Sequence, residues 1–308
     1  MGYKLAGFDV LGCCEIDPQM MEVYLRNNHP KYHYLEDVRD FLKHDDLPEE
    51  LYRLDILDGS PPCSVFSTAG EREKGWGTEK VFREGQAEQR LDDLFFWFIR
   101  IAEKLQPRVV IAENVRGLIS GKAQGYVNEI FQAFAEAGYK VQLFLLNAAY
   151  MGVPQKRERC FFVAQRNDQG FEKLRLDFHE KPITFGEVRS PEGKHFVKED
   201  CETEQLLKLR RPSDTLISHL YKRVKGRKSG FASAIHHDNR PASTNMAGGS
   251  AYRYCDGLIC TDQDYINIQT FPQDYDFGGQ PVKYITGMSV PPVMMANLAS
   301  EVYSQWLK

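Results

Sequence analysis

Three runs in this 308-residue sequence carry residue types that could do chemistry together. The first holds a thiol: Gly59-Ser60-Pro61-Pro62-Cys63-Ser64-Val65-Phe66-Ser67. Pro61 and Pro62 bar a helix and keep the chain extended, so Cys63 sits on a stiff loop. The second is Glu113-Asn114-Val115, an acid directly after the apolar run Val109-Val110-Ile111-Ala112. The third is Gln155-Lys156-Arg157-Glu158-Arg159, which leads into another apolar run. They amount to a nucleophile, an acid and a cationic clamp. Cations lower a thiol's pKa and make it a good nucleophile. A glutamate can give a proton to a ring nitrogen or share one with it. Two guanidinium groups can grip a carbonyl or phosphate in a fixed fork. A cysteine met in isolation is most often a small buried hydrophobe. The residues flanking Cys63 and the two later runs set it apart.

The elements around these runs must bring them together. Residues 54–58 read as a buried strand, which puts Cys63 past its carboxyl end, where open α/β sheets gather their chemistry. Residues 1–9 read as the tail of a helix ending near Gly7. Val10-Leu11-Gly12-Cys13-Cys14 reads as a strand ending in Glu15-Ile16-Asp17. An acid at such a place holds ribose hydroxyls in nucleotide-binding folds, although acids also end strands on plain surfaces. Pro18 opens a helix over 19–27. Leu35-Glu36-Asp37-Val38 is another strand end, with Asp37 either solvated or available to a ligand amine.

A helix over 94–105, apolar around most of its circumference, is expected to be buried and to stop at Pro107. Glu113 then stands at the tip of a strand over 109–112, and a helix over 126–137 ends at Gly138. Strands over 141–146 and 160–164 flank the basic loop 150–159. This alternation predicts an α/β fold, a mostly parallel sheet with helices on both faces. The polar stretch 68–90 is too long for a simple connection and reads as a functional flexible loop. The division expected is 1–165 for the main domain, 166–235 for a small lobe without clear periodicity, and 236–308 for the end of that lobe plus a closing helix that returns to the main domain.

With 42% hydrophobic and 27% charged residues, the chain has the composition of a globular protein large enough for one main core and a lobe. A net charge of -4 does not suggest a nucleic-acid binder, but an average can hide a local basic groove. No run approaches the roughly 18 apolar residues of a membrane span, and the first residues lack a signal-peptide layout. Seven cysteines with no Cys-x-x-Cys pair point away from a disulfide framework or zinc site, so a reduced, cytoplasmic setting and no metal are expected.

Taken in order, Ser60-Pro61-Pro62-Cys63 with Phe66-Ser67, Glu113-Asn114-Val115, Gln155-Lys156-Arg157-Glu158-Arg159, Arg240-Pro241 with Thr244, Gln269-Thr270-Phe271-Pro272 with Asp274-Tyr275, and Gly287 with Ser289-Val290-Pro291-Pro292 closely resemble the motifs of the DNA (cytosine-5)-methyltransferase family. They span nearly the whole chain in the family's order. The resemblance implies a Rossmann-like, doubly wound class I methyltransferase domain with a small, irregular mixed target-recognition domain over 166–235. It implies S-adenosylmethionine as cofactor and double-stranded DNA as substrate, in a prokaryotic or phage setting. A restriction endonuclease would be its functional rather than physical counterpart, and a monomer is expected.

Residue by residue, the resemblance gives Cys63 the attack on carbon 6 of a flipped cytosine. Glu113 would hold N3 and the amino group, and Arg159, with Arg157 nearby, the cytosine carbonyl. Glu15 would bind the cofactor's ribose and Ile16 its adenine. Asp37 would meet the adenine amine, and Leu94 and Ser289 would line the same pocket. Pro62, Asn114, Gln155 and Thr244 would fix the catalytic and DNA-facing loops. Lys208, Arg210, Arg211, Lys222, Arg223, Lys225, Arg227 and Lys228 are candidate phosphate contacts or a solvated face.

The sequence departs from the family in two places. Family members open with a strand and a Phe-x-Gly-x-Gly-Gly loop, and this sequence begins just past that point. The implied first strand would be central, between the strands at 10–14 and 54–58, so a shortened chain with weakened cofactor binding is expected. Met288 stands where the family usually has Asn. Two other readings stay open: a tRNA cytosine-5 methyltransferase, and a catalytically silent DNA-binding remnant.

Overall fold

The computed structural model describes residues 1–61, 93–119, 124–227, 229–230 and 233–308. Pro62, Cys63, Ser64, Phe66, Ser67, the stretch 68–90 and Lys228 lie outside the described residues.

The chain opens with helix α1 (Gly2–Leu5) and strand β1 (Gly12–Glu15). Helix α2 (Pro18–Asn28) follows, begun by the Asp17 carboxylate, which accepts from the Gln19 and Met20 amides. Then come β2 (Tyr32–Leu35), α3 (Val38–Phe41) and β3 (Ile56–Gly59). After the undescribed stretch, α4 (Leu94–Leu105), β4 (Val109–Val115), α5 (Gln124–Glu136) and β5 (Tyr139–Asn147) continue the alternation. β6 (Gln155–Lys156) and β7 (Glu158–Arg166) complete the main domain. β4 carries Glu113, Asn114 and Val115 within the strand rather than beyond its end.

Four strands form the main sheet in the order β3-β4-β7-β5. β3 and β4 run parallel, and β7 lies antiparallel between β4 and β5. β1 and β2 pair in parallel as a separate two-stranded sheet, with no ladder to β3 among the described residues. Alternation along the strands splits the core in two. Val110 and Ala112 point with Phe162 to α4 and α5, where Phe95, Phe98, Ile130 and Phe134 pack on them. Val109 and Ile111 point with Phe161 to the other face. There they meet Met294, Leu298 and Val302 of the late helix α11 (Pro292–Val302), and Trp306 beyond it. Such two-sided burial explains why these strands read as unbroken apolar runs.

The small lobe is built from short pieces: α6 (Phe185–Val188), α7 (Glu202–Lys208), α8 (Ile217–Lys225), β8 (Ile235–His236), β9 (Ala242–Ser243), β10 (Tyr252–Arg253) and α9 (Asp262–Ile268). Its apolar clusters draw on residues from Phe185 to Ile268. Phe171, Leu174, Leu176 and Phe178 pack instead on the main sheet's α11 face. α10 (Val282–Met288) and α11 (Pro292–Val302) close the chain. The Trp306 indole donates to the Glu172 carbonyl at 2.9 Å, which ties the chain's end to the main domain. Among the described residues no helix is long and apolar enough to cross a membrane.

Candidate active site

The Gln-x-Arg-x-Arg spacing is a strand spacing. In an extended chain every second side chain shares a side, so Gln155, Arg157 and Arg159 point one way and Lys156 and Glu158 the other. Gln155 and Arg157 are buried, whereas Lys156 is exposed and Glu158 pairs with Arg116 at the surface. On the neighbouring strand Glu113 faces Phe161, and Arg159 faces Val115. Glu113 and Arg159 are therefore diagonal neighbours on one face of the sheet. Arg159 Nε lies 2.8 Å from Glu113 Oε1, and both side chains are largely covered, with 14% and 13% exposure.

A side-chain hydrogen bond joins Ser60, three residues before Cys63, to the Glu113 carboxylate. Burial pushes the Glu113 carboxyl above its ordinary pKa, while the charges of Arg159 and Arg157 and the bonds from Arg159 and Ser60 pull it back. The net displacement is upward, so Glu113 keeps a proton to higher pH than a free glutamate. Arg159 Nη1 donates to the Glu158 carbonyl at 2.8 Å. Nη2 has no partner among the described residues.

Asn114, beside the acid, is buried. Its Nδ2 donates to the Pro61 carbonyl at 3.0 Å, and its Oδ1 accepts from the Val115 amide at 2.9 Å. The loop that leads to Cys63 is thus tied to the same strand as Glu113. Gly59 prepares this approach: a methyl group there would run into the Phe98 ring of α4.

Arg157 is 1% exposed and has no carboxylate partner among the described residues. Its two terminal nitrogens donate to the carbonyls of Asn245 at 2.9 Å and Gly287 at 3.1 Å, and its Nε is orphaned. Burial, with Arg159's charge adding and Glu113's opposing, lowers its pKa to about 9, so it remains charged at neutral pH. Gln155 donates to Gln269 Oε1 at 2.6 Å and accepts from the Asn245 amide at 2.9 Å. Gln269 in turn donates to the Ser289 carbonyl at 2.7 Å, and Asn245 Nδ2 to Thr286 at 2.9 Å. Thr244 Oγ1 donates to the Lys156 carbonyl at 2.9 Å. Together these bonds join the end of the sheet, the small lobe and the turn before α11 in one buried polar hub. Sequence reading missed Asn245 and Thr286, since nothing in a lone Asn or Thr announces a buried junction.

Of the expected cofactor residues, Ser289 meets this hub through its carbonyl, which accepts from Gln269, and the others have no bond to it among the described residues. Glu15 ends β1 and accepts from the Asp17 amide at 2.9 Å, and burial raises its pKa. Ile16 beside it is 39% exposed, an apolar side chain left open. Asp37 caps α3 by accepting from the Arg39 amide at 2.8 Å and pairs with the Arg39 guanidinium at 3.1 Å. Arg39 also pairs with Asp93 at 2.8 Å, ahead of Leu94, which is buried as the first residue of α4. Ser289 Oγ donates to the Ile285 carbonyl at 2.7 Å. An open groove of about 600 Å³ lined by Leu5, Val188, Thr270 and Phe271 includes none of these residues.

Several cations of the small lobe are spent inside it. Arg210 donates to the carbonyls of Leu207 at 2.7 Å and Cys255 at 3.1 Å. Arg223 pairs with Asp214 at 2.6 Å, and Arg227 donates to the Tyr221 hydroxyl at 2.8 Å. Lys208 and Lys225 pair with Asp200 at 3.4 Å and Glu202 at 3.7 Å. Of the described candidates, Arg211 and Lys222 are the two whose side chains have no such partner. The expectation of a broad row of phosphate contacts narrows accordingly.

The sequence matches the family described as C-5 cytosine-specific DNA methylase over residues 1–304. M.FnuDI, a type II methyltransferase of Fusobacterium nucleatum, is 36% identical over 168 residues, 54% of this chain and 44% of that protein, so the chain spans less than half the length of that relative. M1.HphI of Haemophilus parahaemolyticus, also a type II methyltransferase, is 27% identical over 323 residues, 98% of this chain and 82% of that protein. The structure of a prophage-encoded DNA modification methyltransferase of E. coli superposes with a TM-score of 0.69 at 19% identity, over 100% of this chain and 95% of that one, a likeness of fold. With the match running from residue 1 to residue 304, this chain belongs to the C-5 cytosine-specific DNA methylase family.

Proposed function

We propose that the chain is an S-adenosylmethionine-dependent DNA (cytosine-5-)-methyltransferase of the restriction-modification or phage type, acting on a flipped cytosine through a covalent bond to Cys63. One observation carries this reading: Glu113, clamped by Arg159, is bonded to Ser60 of the run that leads to Cys63. The type II names of its relatives support a restriction-modification setting in the cytoplasm, with an endonuclease as functional counterpart.

The residues divide the work. The Cys63 thiolate adds to carbon 6 and opens the 5,6 double bond. Glu113 in its acid form donates to N3, where the displaced electrons would otherwise build negative charge. Arg159 presents a guanidinium to the ring carbonyl. When bound, S-adenosylmethionine supplies an electrophilic methyl group, which carbon 5 takes. Loss of the carbon 5 proton to water then restores the double bond and expels Cys63 as thiolate, and N3 returns its proton to Glu113. Extruding the base costs a few kcal/mol, which pocket contacts offset.

The strand ends fit the cofactor's nucleoside. Ile16 offers an open apolar surface for the adenine, and Glu15 a carboxylate for the ribose hydroxyls. Asp37 would meet the adenine amine with the lone pairs its bonds to Arg39 leave unused. Leu94 and Ser289 would flank it. Arg157, Asn114, Gln155 and Thr244 act as scaffold, holding the clamp and loops in register.

The test is transfer of labelled methyl from S-adenosylmethionine to genomic DNA and, separately, to bulk tRNA, with Cys63→Ser as control. Label in DNA that vanishes in the variant supports the proposal, and label in tRNA alone overturns its substrate. One observation favours a second reading, a DNA-binding chain without transfer: β1–β2 and the main sheet share no ladder among the described residues. DNA binding without label in either substrate would support it.

A further inference from the structure

Asp58 takes no part in the base chemistry above, yet its placement calls for a partner. It lies within β3, opposite Ile111 of β4. Strand alternation puts it on the same sheet face as Ile56 and Ile111, and Glu113 shares that face two residues further along β4. The Tyr3 hydroxyl of α1 donates to Asp58 Oδ1 at 2.8 Å. Among the described residues no Lys, Arg or His side chain forms an ion pair with it.

Asp58 is exposed at the surface, and its bond with Tyr3 lies there too. Close packing of the chain around it pushes its pKa up to about 6; the Tyr3 bond and the charge of the Met1 ammonium pull it back, and the Glu113 charge adds to the rise. A carboxylate so placed is improved by any cation that reaches its open side. Tyr3 and Ile56 pack on the same apolar cluster as Val290, the residue after Ser289, so the open side of Asp58 belongs to the region where the turn before α11 meets the sheet.

We propose that Asp58 is a cofactor-positioning residue that receives the α-ammonium group of the cofactor's amino-acid end, with Tyr3 orienting the carboxylate. The inference rests on the methyltransferase reading above. Of the cofactor's groups, the ribose hydroxyls and adenine are met at the ends of β1 and β2. The α-ammonium is a cation with three N–H donors, and an unpaired carboxylate at the end of the adjoining sheet suits it. A charge-assisted bond of this kind is worth roughly 10- to 100-fold in affinity.

The experiment is calorimetric titration of the intact chain and its Asp58→Asn, Asp58→Glu and Tyr3→Phe variants with two ligands. S-adenosylhomocysteine carries the α-ammonium; 5′-methylthioadenosine has the same nucleoside thioether without the amino-acid end. Asp58→Asn should weaken S-adenosylhomocysteine roughly 10- to 100-fold and leave methylthioadenosine unchanged. Asp58→Glu should restore part of the loss, and Tyr3→Phe should cost severalfold for the first ligand alone. Equal weakening of both ligands by Asp58→Asn would make the residue structural and overturn the proposal, as would no change in either. An unaltered chain that binds neither ligand would instead overturn the cofactor-dependent reading on which the proposal rests.

Discussion

Arg159 Nε sits 2.8 Å from Glu113 Oε1 across two antiparallel strands. The pair is diagonal in the ladder, so its geometry is set by backbone register rather than by a loop. The ion pair works against burial. Burial favours the neutral acid and the guanidinium favours the carboxylate, and the balance leaves Glu113 above its ordinary pKa.

That balance has a pH signature. A group whose folded pKa is raised stabilises the fold at low pH and loses that contribution as pH rises through its folded pKa. For Glu113 the loss begins above its ordinary value of 4.5. Glu113→Gln should therefore flatten the fall of Tm with rising pH above that value. It should also cut methyl transfer by about 10²- to 10⁴-fold, the usual worth of a general acid. Thermal melts across pH and single-turnover transfer check the two halves. A variant with unchanged transfer would remove Glu113 from the mechanism.

Asn114→Ala should free the Pro61 carbonyl and loosen the run leading to Cys63. The expected cost is about 1–3 kcal/mol in urea unfolding. The fall in transfer should exceed what the unfolded fraction explains, while cofactor-analogue binding holds.

Arg157→Ala should leave the buried carbonyls of Asn245 and Gly287 without donors. We expect a loss of roughly 3–5 kcal/mol and weaker DNA binding, as the small lobe loses its tie to the end of β6. Arg157→Lys can satisfy one carbonyl but not both, so its loss should be intermediate. Denaturant curves of the three proteins would show the order.

Gly59→Ala should force the Phe98 ring aside and cost about 1–3 kcal/mol by overpacking. Phe98→Leu, harmful alone, should recover much of that loss in the double variant. Additive effects in the melts would show that the two positions do not touch.

The main domain is legible in the sequence where one physical signal dominates. A helix over 94–105 stands in the structure as Leu94–Leu105, because apolar residues fill it and Pro107 stops it. The apolar run before Glu113 forms a strand buried on both faces. Sheet order was not legible: nothing in two successive strand runs says that β7 inserts between β4 and β5, since that depends on pairing partners far along the chain. The short elements of the small lobe, α7 and α8 among them, were missed because charged segments of seven to nine residues have little periodicity to read. Arg210, Arg223 and Arg227 show why charge alone misleads: a guanidinium bonded to backbone carbonyls or a tyrosine reads in sequence like one that faces solvent. Asp58 drew no reading of its own for a different reason: an exposed acid closing a short apolar run looks like a plain strand end.

The separate β1–β2 sheet has a consequence for how the molecule opens. These strands are attached to the rest through packing of Leu11, Cys14, Tyr32 and Tyr34 around Phe41, Leu51, Ile101 and Leu105, not through shared backbone bonds with β3. Side-chain packing without a common ladder lets a unit detach at less than the free energy of global unfolding. Amide protons of β1 and β2 should thus exchange with solvent deuterium ahead of those in β4 and β7, and this edge should be the first part of the main domain to come apart and the last to be secured.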